Sequence, residues 1–111
     1  MKKESEAILL RIFIGEGDKY KGKPLLKYLL EFLKKEKLAG VTIIRGIEGF
    51  GKSSHLHTTS ILRLSSDLPI VIECVDKRDH IERIKPKLVE VIKKGLITEE
   101  NVKIIFYEIN K

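Results

Sequence analysis

The chain contains one cysteine, one methionine and no tryptophan in 111 residues. A lone cysteine excludes an intrachain disulfide and fits a reducing, cytoplasmic setting. Cys74 lies in Val71-Ile72-Glu73-Cys74-Val75, which reads as a buried strand, so packing explains it better than nucleophilic chemistry. Long apolar runs are also missing. None approaches the ~20 residues that span a bilayer. Met1-Lys2-Lys3-Glu4-Ser5 is charged and lacks the apolar stretch of a secretory signal. The length leaves no room for a (β/α)₈ barrel, a two-domain kinase or a full dinucleotide-binding sheet. Neither linkers nor repeats break the chain, so the expectation is a tail over residues 1–5 and a single domain over 6–111.

What is present is charge and a core. There are 22 Lys+Arg against 16 Asp+Glu, a net of +6, and 42% of residues are hydrophobic. Seventeen lysines and twelve glutamates dominate the charged set, a mix that resembles the bias of thermophile proteins. The positive balance favours anionic partners, whether nucleotide phosphates, nucleic acid or acidic lipids, without choosing among them.

Residues 7–14 (AILLRIFI) read as a strand ending at Gly15, followed by a turn-rich loop over 16–22. Pro24 suits the first turn of a helix in which Leu26, Leu29, Leu30 and Leu33 recur at helical spacing. That helix is expected to end near Leu38-Ala39-Gly40. Residues 41–47 form a second strand, and residues 46–60 are rich in Gly, Ser and Thr with no clear period. Extended pieces are expected over 61–64 and 69–75. Asp76 is placed as the N-cap of a second helix marked by Ile81, Ile84, Leu88 and Val91, with a kink at Pro86 and an ending at Lys93-Lys94-Gly95. The last strand is placed at 102–109.

This β-α-β-β-α-β order predicts a ferredoxin-like α+β fold, an antiparallel four-stranded sheet with two helices on one face. Leu9/Leu10, Ile43/Ile44 and Ile104/Ile105 put apolar groups on both faces of three strands. A helix-free face of that kind is best covered by another subunit, so an oligomer is expected.

Gly46-Ile47-Glu48-Gly49-Phe50-Gly51-Lys52-Ser53 fits the pattern G-x-x-x-x-G-K-[ST]. In a true phosphate loop the backbone N–H groups wrap the phosphates, and a helix follows. Here Ser53-Ser54-His55-Leu56-His57 consists mainly of poor helix formers, and four strands are too few for such a fold. A glycine-rich loop presenting N–H groups and Lys52 to a phosphate remains a sound reading without that fold. His55 and His57 share a face if extended, giving two metal ligands where zinc wants three or four, so no metal site is expected. Glu16 and Asp18 read as turn-formers before an acid–base pair. Lys19 and Lys21, in the same loop, are placed to meet an anion.

Six stretches follow one another along the chain: Gly15-Glu16-Gly17-Asp18-Lys19-Tyr20-Lys21-Gly22-Lys23-Pro24-Leu25, Ala39-Gly40-Val41-Thr42, Arg45-Gly46, Gly49-Phe50-Gly51, His57-Thr58 and Leu64-Ser65-Ser66-Asp67-Leu68-Pro69. Together they resemble the PII-like proteins of domain of unknown function 190, a family related to the PII nitrogen-regulatory signalling proteins. The resemblance implies a non-enzymatic homotrimer that binds an adenine nucleotide (AMP, ADP or ATP) in clefts between subunits. It signals through a mobile T-loop, here at about 46–60, to a protein target, a membrane transporter among the candidates. No cofactor is required, and Mg²⁺ can accompany the nucleotide. The implied contacts are Gly40 and Thr42 near base and ribose, and Gly49, Gly51 and Lys52 near the phosphates. Arg45, Gly46, Phe50 and His57 complete the set. No tyrosine falls within 46–60, so nucleotidylation of the PII kind is not expected.

Two other classes compete. A basic ferredoxin-like module could bind RNA, but the two central strands offer only Phe13 for stacking. A small metal-dependent enzyme would rest on His55 and His57. No specific nucleic-acid partner is expected.

Overall fold

The computed structural model describes residues 4–49 and 68–107. Eight elements follow one another: β1 (Ser5–Gly15), the two-residue strands β2 (Lys19–Tyr20) and β3 (Lys23–Pro24), α1 (Leu25–Lys35), β4 (Val41–Arg45), β5 (Pro69–Asp76), α2 (Arg78–Val91) and β6 (Leu96–Ile104). The main sheet has the order β4-β5-β1-β6, with every neighbouring pair antiparallel. Apart from the β2–β3 ribbon, this is the ferredoxin-like arrangement expected from the sequence.

Alternation along the central strands decides which face the helices cover. Ile8, Leu10, Ile12 and Ile14 of β1 are buried, whereas Leu9, Arg11 and Phe13 between them are only half-buried. β5 repeats the pattern with Ile70, Ile72 and Cys74 inward. Leu25, Leu29 and Leu33 form the buried stripe of α1, and Ile81, Ile84, Leu88 and Val91 that of α2. Both stripes join the same cluster as the inward strand residues, so both helices lie on one face. Each such side chain contributes about 1.5–3 kcal/mol by leaving water.

Register identifies the residues on the other face. Leu9 stands opposite Val75 and Glu100, Arg11 opposite Glu73 and Thr98, and Phe13 opposite Val71 and Leu96. Ile44, paired with Val71, is 45% exposed. The face is largely apolar around a polar centre of Thr42, Thr98 and an ion-pair group in which Arg11 reaches Glu73 at 2.8 Å and Glu100 at 3.3 Å.

Several expectations about boundaries change, and β4 ends at Arg45 rather than at 47. The last strand spans Leu96–Ile104, starting six residues before the expected 102, while 108 and 109 of the expected 102–109 lie outside the described residues. Glu99 and Glu100 are poor strand formers, but Glu99 meets Lys85 and Arg78 while Glu100 meets Arg11, so cross-element pairing offsets their weak propensity. Gly95 makes the early start possible. Its φ is +146°, and a Cβ there would lie 2.5 Å from the carbonyl oxygen of Phe13. The N-cap of α2 is Lys77, one residue beyond Asp76. Asp76 acts instead as a tie. Its Oδ2 accepts the Ala39 N–H at 2.8 Å, and its Oδ1 accepts the Lys77 N–H at 2.7 Å and lies 2.8 Å from His80 Nδ1. α1 ends at Lys35, short of the Leu38-Ala39-Gly40 ending expected, and α2 runs through Pro86 as one element. The extended piece expected at 61–64 lies outside the described residues.

Candidate anion-binding site

The end of the sheet marked by Gly15 gathers three connections: the turn after β1, the exit from β4 and the step from α2 into β6. Asp18 builds the turn. Its Oδ2 accepts the Gly15 N–H at 2.9 Å, its own N–H reaches Gly15 O at 3.1 Å, and its carbonyl accepts the Leu25 N–H at 2.8 Å. The turn is thereby fixed to the first residue of α1, and Asp18 is the turn-former expected.

A hollow of about 270 Å³ opens between this turn and the helix ends, lined by Gly17, Asp18, Lys19, Leu25, Val91, Lys93 and Lys94. Three ammonium-bearing side chains against one carboxylate make it a cationic depression. Lys93 and Lys94 also follow the C-terminus of α2, where positive charge complements the helix dipole. Lys21 is turned to other use, with Nζ 5.5 Å from the centroid of the Tyr20 ring, which packs on Tyr28 at 4.7 Å. Lys19 alone of the two expected anion contacts lines the hollow.

Arg45, at the end of β4, donates to Glu16 Oε2 at 2.6 Å. Glu16 also donates its backbone N–H to Leu68 O at 2.8 Å, while its Oε1 is buried with no hydrogen-bond partner among the described residues. Beside it the Gly46 N–H donates to Pro69 O at 2.7 Å. That amide is committed to strand pairing, so it cannot begin a phosphate-wrapping loop, and the antiparallel sheet excludes the fold a Walker motif needs.

The expected nucleotide contacts do not all meet. Arg45, Gly46 and Gly49 lie at this end. Gly40 precedes β4 at its far end, about 17 Å from Arg45 along the strand, next to the Ala39 tied to Asp76. Thr42 sits on the helix-free face, paired with Glu73. Phe50, Gly51, Lys52, His55 and His57 lie outside the described residues. Lys93 and Lys94 were not legible as site residues. In the sequence they look like an ordinary helix ending, and only the tertiary fold brings them beside Lys19.

Cys74 has a structural place. Burial, with the nearby Asp76 charge, pushes the Cys74 thiol up to about 11, so it stays protonated at neutral pH. No three His, Cys, Asp or Glu side chains stand together as a metal site among the described residues. Phe13 is the only aromatic residue in the described four-stranded sheet, a poor base-stacking platform. No helix of the described residues is long and apolar enough to cross a membrane.

The DUF190 family model, described as an uncharacterized ACR, matches residues 7–104. The chain belongs to this family. A UPF0166 protein of Methanocaldococcus jannaschii is 44% identical over 93 residues, covering 83% of this chain and 85% of its own. A UPF0166 protein of Aquifex aeolicus is 42% identical over 101 residues, covering 88% and 92%. Among solved structures, a protein of Thermus thermophilus described as PII-like and signalling superposes with a TM-score of 0.66 at 20% identity, covering 93% of both chains. CPII of Thiomonas intermedia, a nitrogen regulatory PII-like protein solved with ADP, AMP and bicarbonate, gives 0.62 at 16% identity, covering 92% and 91%. At these identities the likeness shows the fold, and the fold of this DUF190 chain is PII-like.

Proposed function

We propose that this protein is a non-enzymatic PII-like regulator that binds an adenine nucleotide with its phosphates at the basic end of the sheet. The observation that carries this reading is the convergence of Lys19, Lys93 and Lys94 on one hollow, at the same end of the sheet as the Arg45–Glu16 pair. Ammonium and guanidinium groups bind phosphate through charge-assisted hydrogen bonds, and three connections supply them here from separate parts of the chain. The PII-like neighbour solved with ADP and AMP supports the choice of nucleotide. Any Mg²⁺ of this reading accompanies the nucleotide on its phosphates.

The apolar helix-free face supports association of copies into the homotrimer, with Thr42 on the associating surface and Gly40 at its margin. Binding is then completed between subunits. Residues 46–60 are the T-loop of this reading, and a protein target reads the bound state. Titration calorimetry with AMP, ADP, ATP and adenosine tests the proposal. Heat with at least one nucleotide and weaker binding of adenosine is expected. No heat with any of them at millimolar concentration removes the reading.

A further inference from the structure

Several charged groups among the described residues have an evident structural use. Arg78, Glu82, Lys85 and Glu99 tie α2 to β6, Arg83 holds Glu36 at the end of α1, and Arg11 is shared between two glutamates on the open face. Glu16 differs. It sits in the turn after β1, as expected, but its carboxylate neither closes that turn nor caps a helix, and one of its oxygens is buried without a partner among the described residues. An unsatisfied buried acceptor is costly, and it occurs here in the residue directly before Gly17, Asp18 and Lys19, which line the hollow.

The contact that Glu16 does make is monodentate. It occupies one N–H of a guanidinium that carries five, on an arginine whose side chain is 53% exposed. Exposed pairs of this kind are weak, and a phosphate with two charges and three acceptor oxygens outcompetes a single carboxylate oxygen for the same donor. Until that happens the carboxylate screens the arginine and repels the incoming anion. We propose that Glu16 is an internal competitor for the anion, holding the Arg45 guanidinium that a phosphate-bearing ligand must capture. It thereby sets the affinity of the basic end and tilts it toward ligands with more phosphate charge. The inference rests on the reading of this end as the phosphate site and adds what regulates it.

The test is calorimetry of the full chain with ADP and, separately, inorganic pyrophosphate. Glu16→Gln keeps the shape and removes the charge, and Glu16→Ala removes the acceptor too. Both are expected to tighten binding by about fivefold, the share of arginine a weak pair withholds. Glu4→Gln, an equal change of net charge at the opposite end of β1, should give no gain. In an Arg45→Gln background the gain from Glu16→Gln should disappear. The proposal is overturned by unchanged or weaker binding in Glu16→Gln, by an equal gain in Glu4→Gln, or by a gain that survives loss of Arg45. ADP binding without the gain overturns the competitor and leaves the nucleotide reading standing. A Glu16-dependent gain with pyrophosphate alone does the reverse, and no binding of either ligand removes both.

Discussion

The two ends of the sheet each place a carboxylate just where a strand stops, and the two are treated differently. At the end of β5, Asp76 is 6% exposed, and both its oxygens are used, by the N–H groups of Ala39 and Lys77 and by His80. At the end of β1, Glu16 has one oxygen on an exposed arginine and one on nothing among the described residues. Asp76 joins the turn before β4 to the start of α2 and leaves no group available for a ligand. Glu16 leaves its end of the sheet with a displaceable contact beside three lysines. A saturated carboxylate marks the structural end of this fold, and an incompletely satisfied one marks the end suited to exchange partners.

The contrast can be broken most directly through stability. Asp76→Ala strands two backbone donors and is expected to cost about 2–4 kcal/mol in denaturant unfolding, whereas Glu16→Gln should change it by less than about 1 kcal/mol. Equal costs would erase the distinction. Gly95→Ala sharpens it. That position belongs to the Glu16 end, yet its φ of +146° and the 2.5 Å approach to Phe13 O leave no room for a methyl group. A loss of about 2 kcal/mol is expected, which would show that the end is firmly built and that only the Glu16–Arg45 contact is loose.

The smallest effect concerns pH. Glu82, on the exposed side of α2, is held below the usual glutamate range by its hydrogen bond from Lys85, with Arg78 adding to it. Because the folded value lies below the unfolded one, its contribution is present at neutral pH. It is lost as pH falls below about 4.3, the ordinary glutamate value, toward that lower folded value. Solvent screening keeps it small, so a slight loss of thermal stability over that range, absent in Glu82→Gln, is the expected outcome.

Much of this was legible in the sequence because it depends on period. The helical spacing of Leu29 and Leu33, the alternation through Ile8 to Ile14, and the order of elements led to the ferredoxin-like sheet and its apolar second face. The start of β6 was not legible. Glu99 and Glu100 are disfavoured in strands until Lys85, Arg78 and Arg11, distant in sequence, are placed beside them. The site followed the same division. Resemblance led to Arg45 and Gly46, and loop position to Lys19. Lys93 and Lys94 entered only when α2 was packed on β1, and the spread of Gly40 and Thr42 along β4 appeared only with the register.

The central claim is that the basic hollow receives the phosphates of an adenine nucleotide. Its most direct test is titration of the wild-type protein and of the paired variant Lys93→Ala/Lys94→Ala with ADP and with adenosine. Each lost charge-assisted hydrogen bond is worth about 1.5–3 kcal/mol, so ADP binding should fall at least about tenfold in the variant while adenosine binding stays unchanged. Equal ADP affinity in the two proteins, or a parallel loss for adenosine, would contradict the account.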